Sequence, residues 1–524
     1  MADEAATPAR DPGHVVEDQS EVLAFLARPE THGLDAPPVR IDTHGAVVFL
    51  AGPDAYKLKR AVRFPFMDFS TLALRQAATA AEVAVNAPGA PGLYRGVVAI
   101  TRAADGGLER GGEGPVVDVV VHMRRFDESL TLDKVADRGD LTPAMLDTLV
   151  RRIVEAHARA PLRPAAASPT SLARYLAQNR EAFAESPDLF PPARAAALSD
   201  RMEALLSRLW PLLVTRGEAG LVRCCHGDLH LRNVVLIDGA PILFDAIEFD
   251  DGIATCDVLY DLAYLIMDLI DLSLVAEANR VLNRYLSATD DRNLDGLAAL
   301  PLFLSLRATI RAKVTAAALP SLTPEKRERA AAEARTYFAL AETVLADTPP
   351  VLVAVGGLSG SGKSTVSAAL APRLGKAPGA VHLRSDVIRK TLAGVAETAP
   401  LPPESYTKAA SDAVYTALRD RAGRVLAAGA SVVVDAVHAR PEERDAIAAV
   451  AAAHSARFRG VWLDAPVETR MARVDTRVGD ASDANAEVAR KQTDYDLGPM
   501  TWLSLDATGA PATLAYAVLK RLDS

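Results

Sequence analysis

At 524 residues the chain is long enough for two or three domains of the ~100–200 residues typical of one, each able to bury its own core. Apolar residues at 49% and charged residues at 24% are ordinary globular usage and exclude wholesale disorder. A net charge of −9 gives no broad cationic surface, which disfavours nucleic acid as a partner. The three cysteines, Cys224, Cys225 and Cys256, cannot build a disulfide framework and fit a reducing compartment. The opening "MADEAATPARDPG" has no charged-then-apolar pattern, and no apolar run reaches transmembrane length. A soluble, cytoplasmic protein that engages no membrane is expected.

In chain order, residues 1–18 are rich in Ala, Pro and acid and read as a mobile tail. "VLAFLARPET" predicts a short helix. "AVVFL" and "AYKLKRAV" flank the turn "AGPD" and predict a β-hairpin. A helix follows over about 72–86, and then "GVVAITRA" and "VVDVVVHM" flank a Gly-rich connection. Residues 19–125 thus read as a small lobe, a sheet with one interposed helix. Residues 126–345 read as a mainly helical lobe, broken by strand-like runs at "NVVLID" and "PILFD". The pair Pro349-Pro350 stops the last helix. From 346 to 524, strands such as "VLVAV", "SVVVDAV" and "RGVWLDA" alternate with Ala-rich helices, the pattern of a parallel sheet wrapped by helices.

Two segments carry chemistry. The first, "HGDLHLRN", fits H-x-D-x-x-x-x-N, and an apolar strand then delivers Asp245 twelve residues after Asn233. That is the order of a kinase catalytic loop and its metal-binding aspartate. Asp228 would accept the proton of the acceptor hydroxyl, while Asn233 and Asp245 would hold Mg²⁺ on the phosphates of ATP. His226 is expected to brace the loop and Asp261 to tie it down. Glu248 divides evenly between metal support and surface charge. A cation over the phosphates is also needed. Lys57 and Lys59 share one strand face, so alternation leaves both open, with Lys57 preferred. Glu82, in the next helix, is the natural carboxylate partner, and the backbone near His122 to Arg124 would meet adenine.

The second segment, "GLSGSGKS", fits G-x-x-x-x-G-K-[ST] between an apolar strand and a helix. Gly357, Ser359, Gly360, Ser361, Gly362, Lys363, Ser364 and Thr365 are the nucleotide-binding candidates. Backbone N–H groups and the helix N-terminus would cradle phosphates, Lys363 would reach the β/γ-phosphates, and Ser364 would ligate Mg²⁺. Asp386 and Arg389 lie three apart at a helix start. Asp435 ends an apolar strand at the ligand-binding edge of such a sheet. Arg470, Arg473 and Arg477 fall along one helical face, suited to a lid on phosphates.

Residues 351–524 resemble the P-loop small-molecule kinases of the gluconate-kinase, shikimate-kinase and zeta-toxin type. The resemblance implies that Asp386 contacts the acceptor hydroxyl as candidate base, that Arg389 holds the substrate, and that Asp435 acts on Mg²⁺ through water. Residues 1–345 resemble the aminoglycoside-phosphotransferase-like branch of the protein-kinase-like fold. With "YKLK", "VRFPFMDFST", "HGDLHLRN", "FDAIEF" and "RSDVIRK" in this order, nearly the whole chain is similar to bacterial two-domain proteins that join these folds. An α+β bilobal kinase-like domain followed by an α/β P-loop domain is therefore expected. One departure is that no G-x-G-x-x-G loop precedes the hairpin, only the turn at "DTHGAV".

The leading expectation is a bifunctional kinase, using ATP and Mg²⁺, that phosphorylates small hydroxylated metabolites. A nucleotide-driven switch with one non-transferring half is a second reading. Action of the P-loop half on polynucleotide 5′-hydroxyl ends or on a sugar nucleotide is a third. The sequence sets neither the acceptor nor the oligomeric state.

Overall fold

Alternating apolar residues in Ala46–Ala51 and Asp54–Lys59, joined through Gly52 and Pro53, form an antiparallel hairpin in the computed structural model. The structure describes residues 14–64, 67–476 and 479–522. The hairpin lies within a six-stranded antiparallel sheet in the order Val39–Asp42, Ala46–Ala51, Asp54–Lys59, Val116–Arg124, Tyr94–Arg102, Leu108–Arg110. One sheet face buries Val47, Phe49, Tyr56, Leu58, Ile100 and Val120 against Val22 and Leu26 of the helix Ser20–Leu26. Strand alternation then turns Lys57 and Lys59 to the opposite face. There the helix Leu72–Asn86 begins at Thr71, whose hydroxyl accepts the Leu74 N–H.

The helix buries a polar stripe, Arg75, Thr79, Glu82 and Asn86, at helical spacing. Each charge in that stripe has a partner. Arg75 donates to Asp118 at 3.0 Å and to Glu17 at 2.8 Å. Asn86 accepts the Ala246 N–H at 2.9 Å. Further along, Val222–Cys224 pairs antiparallel with Thr255–Asp257, and Val234–Ile237 pairs with Ala240–Leu243. These two short ladders hold the intervening loops amid long helices such as Pro143–Arg159 and Pro192–Glu218.

The chain divides into two compact units, one of Met1–Asp268 with Leu306–Ala341, the other of Leu269–Ser305 with Glu342–Ser524. The grouping departs from chain order, because residues 269–305 join the C-terminal part. The second unit holds a five-stranded parallel sheet in the order Val381–Arg384, Val432–Asp435, Val351–Gly356, Arg457–Asp464, Leu503–Asp506. Val353, Val355, Val433, Val461 and Leu463 pack with Leu370, Leu514 and Val518 to form its core. The first strand in sequence is central, so the chain reverses its direction of winding there. The crevice at its carboxyl end is the usual ligand site of such sheets. Among the described residues no helix is long and apolar enough to cross a membrane.

Candidate functional site

In the first unit the loop 225–233 is fixed from below. The carboxylate of Asp261, fully buried on the helix Val258–Asp271, accepts the Gly227 N–H at 2.8 Å and the His226 N–H at 3.3 Å. His157 meets the same carboxylate at 3.1 Å. Arg307 donates to the Gly227 carbonyl at 3.1 Å and lies over the rings of Tyr260 and Tyr264. The His226 ring bonds to the Phe244 carbonyl at 3.0 Å, and its own carbonyl accepts the Ile247 N–H. Burial lowers the pKa of His226, which keeps the brace neutral.

On this base, Asn233 Nδ2 donates to Asp228 Oδ2 at 2.9 Å and to the Asp228 carbonyl at 3.0 Å. Partial enclosure alone would raise the Asp228 carboxyl. The hydrogen bond from His230 at 3.3 Å, with the charge of Arg307, outweighs it and holds the group well below the usual carboxylate range. Asp228 is therefore ionised at neutral pH. Asp245 stands in the left-handed region at φ 60°, where a non-glycine residue is uncommon. Its N–H donates to Tyr94 Oη at 3.1 Å, and its Oδ1 accepts from Lys57 Nζ at 2.7 Å. The Lys57 charge lowers the Asp245 carboxyl.

Lys57 and Lys59 share Glu82, at 2.9 Å and 2.8 Å. Burial would lower Lys57, but Asp245, Glu82 and Glu248 raise it well above the ordinary lysine value, so it remains a cation. Lys57 also reaches Asp245, whereas Lys59 pairs with Glu248 inside the lobe. The geometry thus separates two lysines that strand alternation could not. Glu248 is interior, not a surface charge, and burial raises its carboxyl. At the strand Val116–Arg124, the Arg124 N–H is spent on the Leu93 carbonyl at 2.8 Å and the Arg125 N–H on Pro53 at 2.8 Å. Neither donor faces a base, which removes part of the expected adenine contact. Where a glycine-rich loop would stand, Thr43 and Ala46 close a tight turn.

The donor set suits a hard divalent cation. Asn233 commits its amide nitrogen to Asp228, which leaves the amide oxygen as its acceptor. Asp245 adds a carboxylate, its side chain 45% exposed. Oxygen ligands of this kind match Mg²⁺.

In the second unit the loop 357–362 is shaped by glycine. A side chain at Gly360, φ 82°, would meet the Arg470 carbonyl at 2.3 Å. One at Gly357, φ 146°, would meet Ser361 Oγ at 2.6 Å and the Leu463 carbonyl at 2.7 Å. Gly362 caps the helix Lys363–Leu370, whose first turn carries Lys363, Ser364 and the exposed Thr365. Lys363 Nζ donates to the Leu358 carbonyl at 3.3 Å. Ser361 Oγ, Asp435 Oδ2 and both ring nitrogens of His438 are buried without hydrogen-bond partners. Buried polar atoms of this kind call for a ligand or ordered water, so the loop and its floor fit a bound nucleotide with its Mg²⁺.

Asp435 ends its strand 3.4 Å from His382 Nε2 and 3.8 Å from Arg384 Nε. Burial would raise its carboxyl, but His382, Lys363 and Arg384 lower it well below the usual range. Asp386 and Arg389 share one face of the helix Ser385–Leu392. Arg389 donates to the Ser405 carbonyl at 2.6 Å and lies over the Tyr406 ring.

The arginine stripe divides. Arg470 turns inward to the carbonyls of Ala465 and Ala489 and to Thr493, and is a structural brace, not a lid cation. Arg473 reaches the Ser361 carbonyl at 3.5 Å and Ala507 at 2.9 Å, beside the loop. Arg477 lies outside the described residues. Sequence reasoning missed Gln492, whose Oε1 accepts the Ser359 N–H at 2.6 Å. It also missed Tyr94, Asn86 and His382. The spacing 75, 79, 82, 86 was the available signal for Asn86, a polar stripe on an otherwise ordinary helix.

A bilobal kinase-like unit with lysine, carboxylates and amide on one site, joined in one chain to a P-loop unit, defines a protein of phosphotransferase class, a kinase. Residues 94–300 match the phosphotransferase enzyme family, and residues 352–496 match an AAA domain. Uncharacterized proteins of Mycobacterium tuberculosis (strain H37Rv) and Mycobacterium bovis are each 29% identical over 472 residues, covering 87% of this chain and 90% of theirs. A solved choline/ethanolamine kinase family protein from Mesorhizobium loti is 16% identical, covering 63% of this chain and 95% of its own, with a TM-score of 0.35. A gluconokinase from Sinorhizobium meliloti is 22% identical, covering 34% and 94%, with a TM-score of 0.25.

Proposed function

We propose that the protein transfers the γ-phosphate of ATP to hydroxyl groups of small metabolites, a sugar, an amino sugar or a similar alcohol, at two separate sites. At the first, Asp228 receives the hydroxyl proton as the acceptor oxygen bonds to the γ-phosphorus and the bond to the β-phosphate oxygen breaks, releasing ADP. A carboxylate held ionised suits this role, because phosphoryl transfer asks mainly for orientation and late proton removal. Asn233 keeps that carboxylate in place and, with Asp245, would hold magnesium, which neutralises phosphate charge when bound. Lys57 steadies the phosphates and Glu82 steadies Lys57. At the second site, the amides of 357–362 and Lys363 grip the triphosphate, Ser364 and Asp435 serve the metal, Arg473 lies beside the loop, and Asp386 and Arg389 face the acceptor.

The observation that supports this reading most is the meeting of Lys57, Glu82 and Asp245 within hydrogen-bond distance, from three elements far apart in sequence. The test is incubation with ATP, Mg²⁺ and a cell metabolite extract, with mass spectrometry of the species that gain phosphate. Asp228→Asn should remove one set of products and Lys363→Ala another. Identical products from all three proteins would overturn the proposal.

A further inference from the structure

The strand Val381–Arg384 is an edge of the parallel sheet, and it leads directly into the helix that carries Asp386 and Arg389. Its inner side is paired, with the Val381 N–H on the Ser431 carbonyl at 2.9 Å. The groups on either side of Val381, the Ala380 carbonyl and the His382 N–H, point outward, where a sixth strand would take them. An unpaired edge of this kind is normally covered or blunted.

Here a side-chain amide covers it. On the helix Val275–Ala288, Asn283 donates from Nδ2 to the Ala380 carbonyl at 3.2 Å and accepts the His382 N–H on Oδ1 at 2.7 Å. Asn279, one turn earlier and buried, adds a bond to Ala380 at 3.0 Å. Asn283 Nδ2 also reaches Asn279 Oδ1 at 3.1 Å, which orients both amides. The same segment is pinned by ion pairs. Arg284 meets Glu397 at 2.9 Å, Arg421 meets Asp291 at 2.9 Å, and Arg424 meets Asp295 at 2.7 Å. The covered strand in turn places His382 at 3.4 Å and Arg384 at 3.8 Å from Asp435.

We propose that Asn283 is a positioning residue of the P-loop unit, standing in for a sixth strand so that the strand bearing His382 and Arg384, and the Asp386 helix after it, keep their register toward Asp435. Residues 269–305 are then a working part of that unit although they precede it in the chain. A P-loop unit cut at residue 346 would lack its edge. The link to transfer rests on the function proposed above; the link to strand position does not.

The test uses the full chain. In Asn283→Ala, hydrogen exchange at the His382 amide and its neighbours through Asp386 should quicken roughly fivefold to tenfold, the scale of one lost hydrogen bond. Asn283→Asp keeps an acceptor for the His382 N–H but sets its second oxygen against the Ala380 carbonyl and Asn279 Oδ1, so it should restore that protection only in part, and most of all at His382. In an Asp228→Asn background with a metabolite extract as acceptor source, Lys363-dependent ADP release should fall about severalfold, with the KM for MgATP within about twofold. Unchanged exchange at His382 overturns the proposal. So does loss of protection across the whole unit together with loss of MgATP binding, which marks a folding role. If no Lys363-dependent turnover exists at all, the transfer reading of this unit fails, while the exchange result still decides the role of Asn283.

Discussion

Lys57 in the first unit lies within ion-pair distance of both Glu82 and Asp245, whereas Lys363 in the second donates to a backbone carbonyl, that of Leu358. The first site is organised by side-chain charges that compensate one another before any ligand arrives. Two lysines and three carboxylates, Glu82, Glu248 and Asp245, form one network. The second is organised by backbone, through glycines at which a Cβ would clash and through buried polar atoms without hydrogen-bond partners. A charge network fails when one member is removed, because the others remain buried and uncompensated. A backbone cradle tolerates side-chain changes around it but not a Cβ within it.

The largest break in this comparison is Asp228→Asn. It should lower transfer at the first site by ~10²–10⁴ and leave Lys363-dependent transfer unchanged, as measured by the separate product sets. Glu82→Gln should come next. Glu82 is fully buried between two lysines, so its loss should destabilise the first unit by about 3 kcal/mol in denaturant unfolding. It should also raise the KM for ATP at the first site, with no change at the second.

The second unit should respond to acid through His438. Burial lowers this imidazole to about 3, against an unfolded value of about 6.5. The unfolded chain therefore binds the proton first. Stability should be full above about pH 6.5 and decline as pH falls toward 3, by a few kcal/mol at most. His438→Phe, packed against Tyr415 and Trp502, should flatten that part of the profile. An unaltered profile would show that the ring is not held neutral.

The smallest expected effect is Thr71→Ala. Losing the cap of the helix Leu72–Asn86 should cost about 1 kcal/mol. It should shift the first unit's melting slightly and leave the Lys57–Glu82 pair in place, because Glu82 lies three turns away.

Much of this was legible in the chain itself. The helix at 72–86, the hairpin around Gly52 and the three apolar strands of the parallel sheet follow from periodicity and turn residues, since each buries one face locally. Both motifs were legible for the same reason, as their spacing reflects short loops between regular elements. The edge strand Val381–Arg384 was not, because "VHLR" alternates over only four residues, too few to mark a strand, and its outer groups are met by asparagines a hundred residues earlier. Arg470 likewise shares a helical face with Arg473 yet turns to interior carbonyls, a choice made by packing alone.

By itself the sequence determined which local elements form and which residue types can handle phosphate, because propensity, turn chemistry and glycine conformation act over a few residues. Only the tertiary structure decided which lysine reaches Asp245, where Glu248 is buried, and that residues 269–305 group with the P-loop unit. Those outcomes depend on contacts between segments far apart in the chain, which no local pattern encodes.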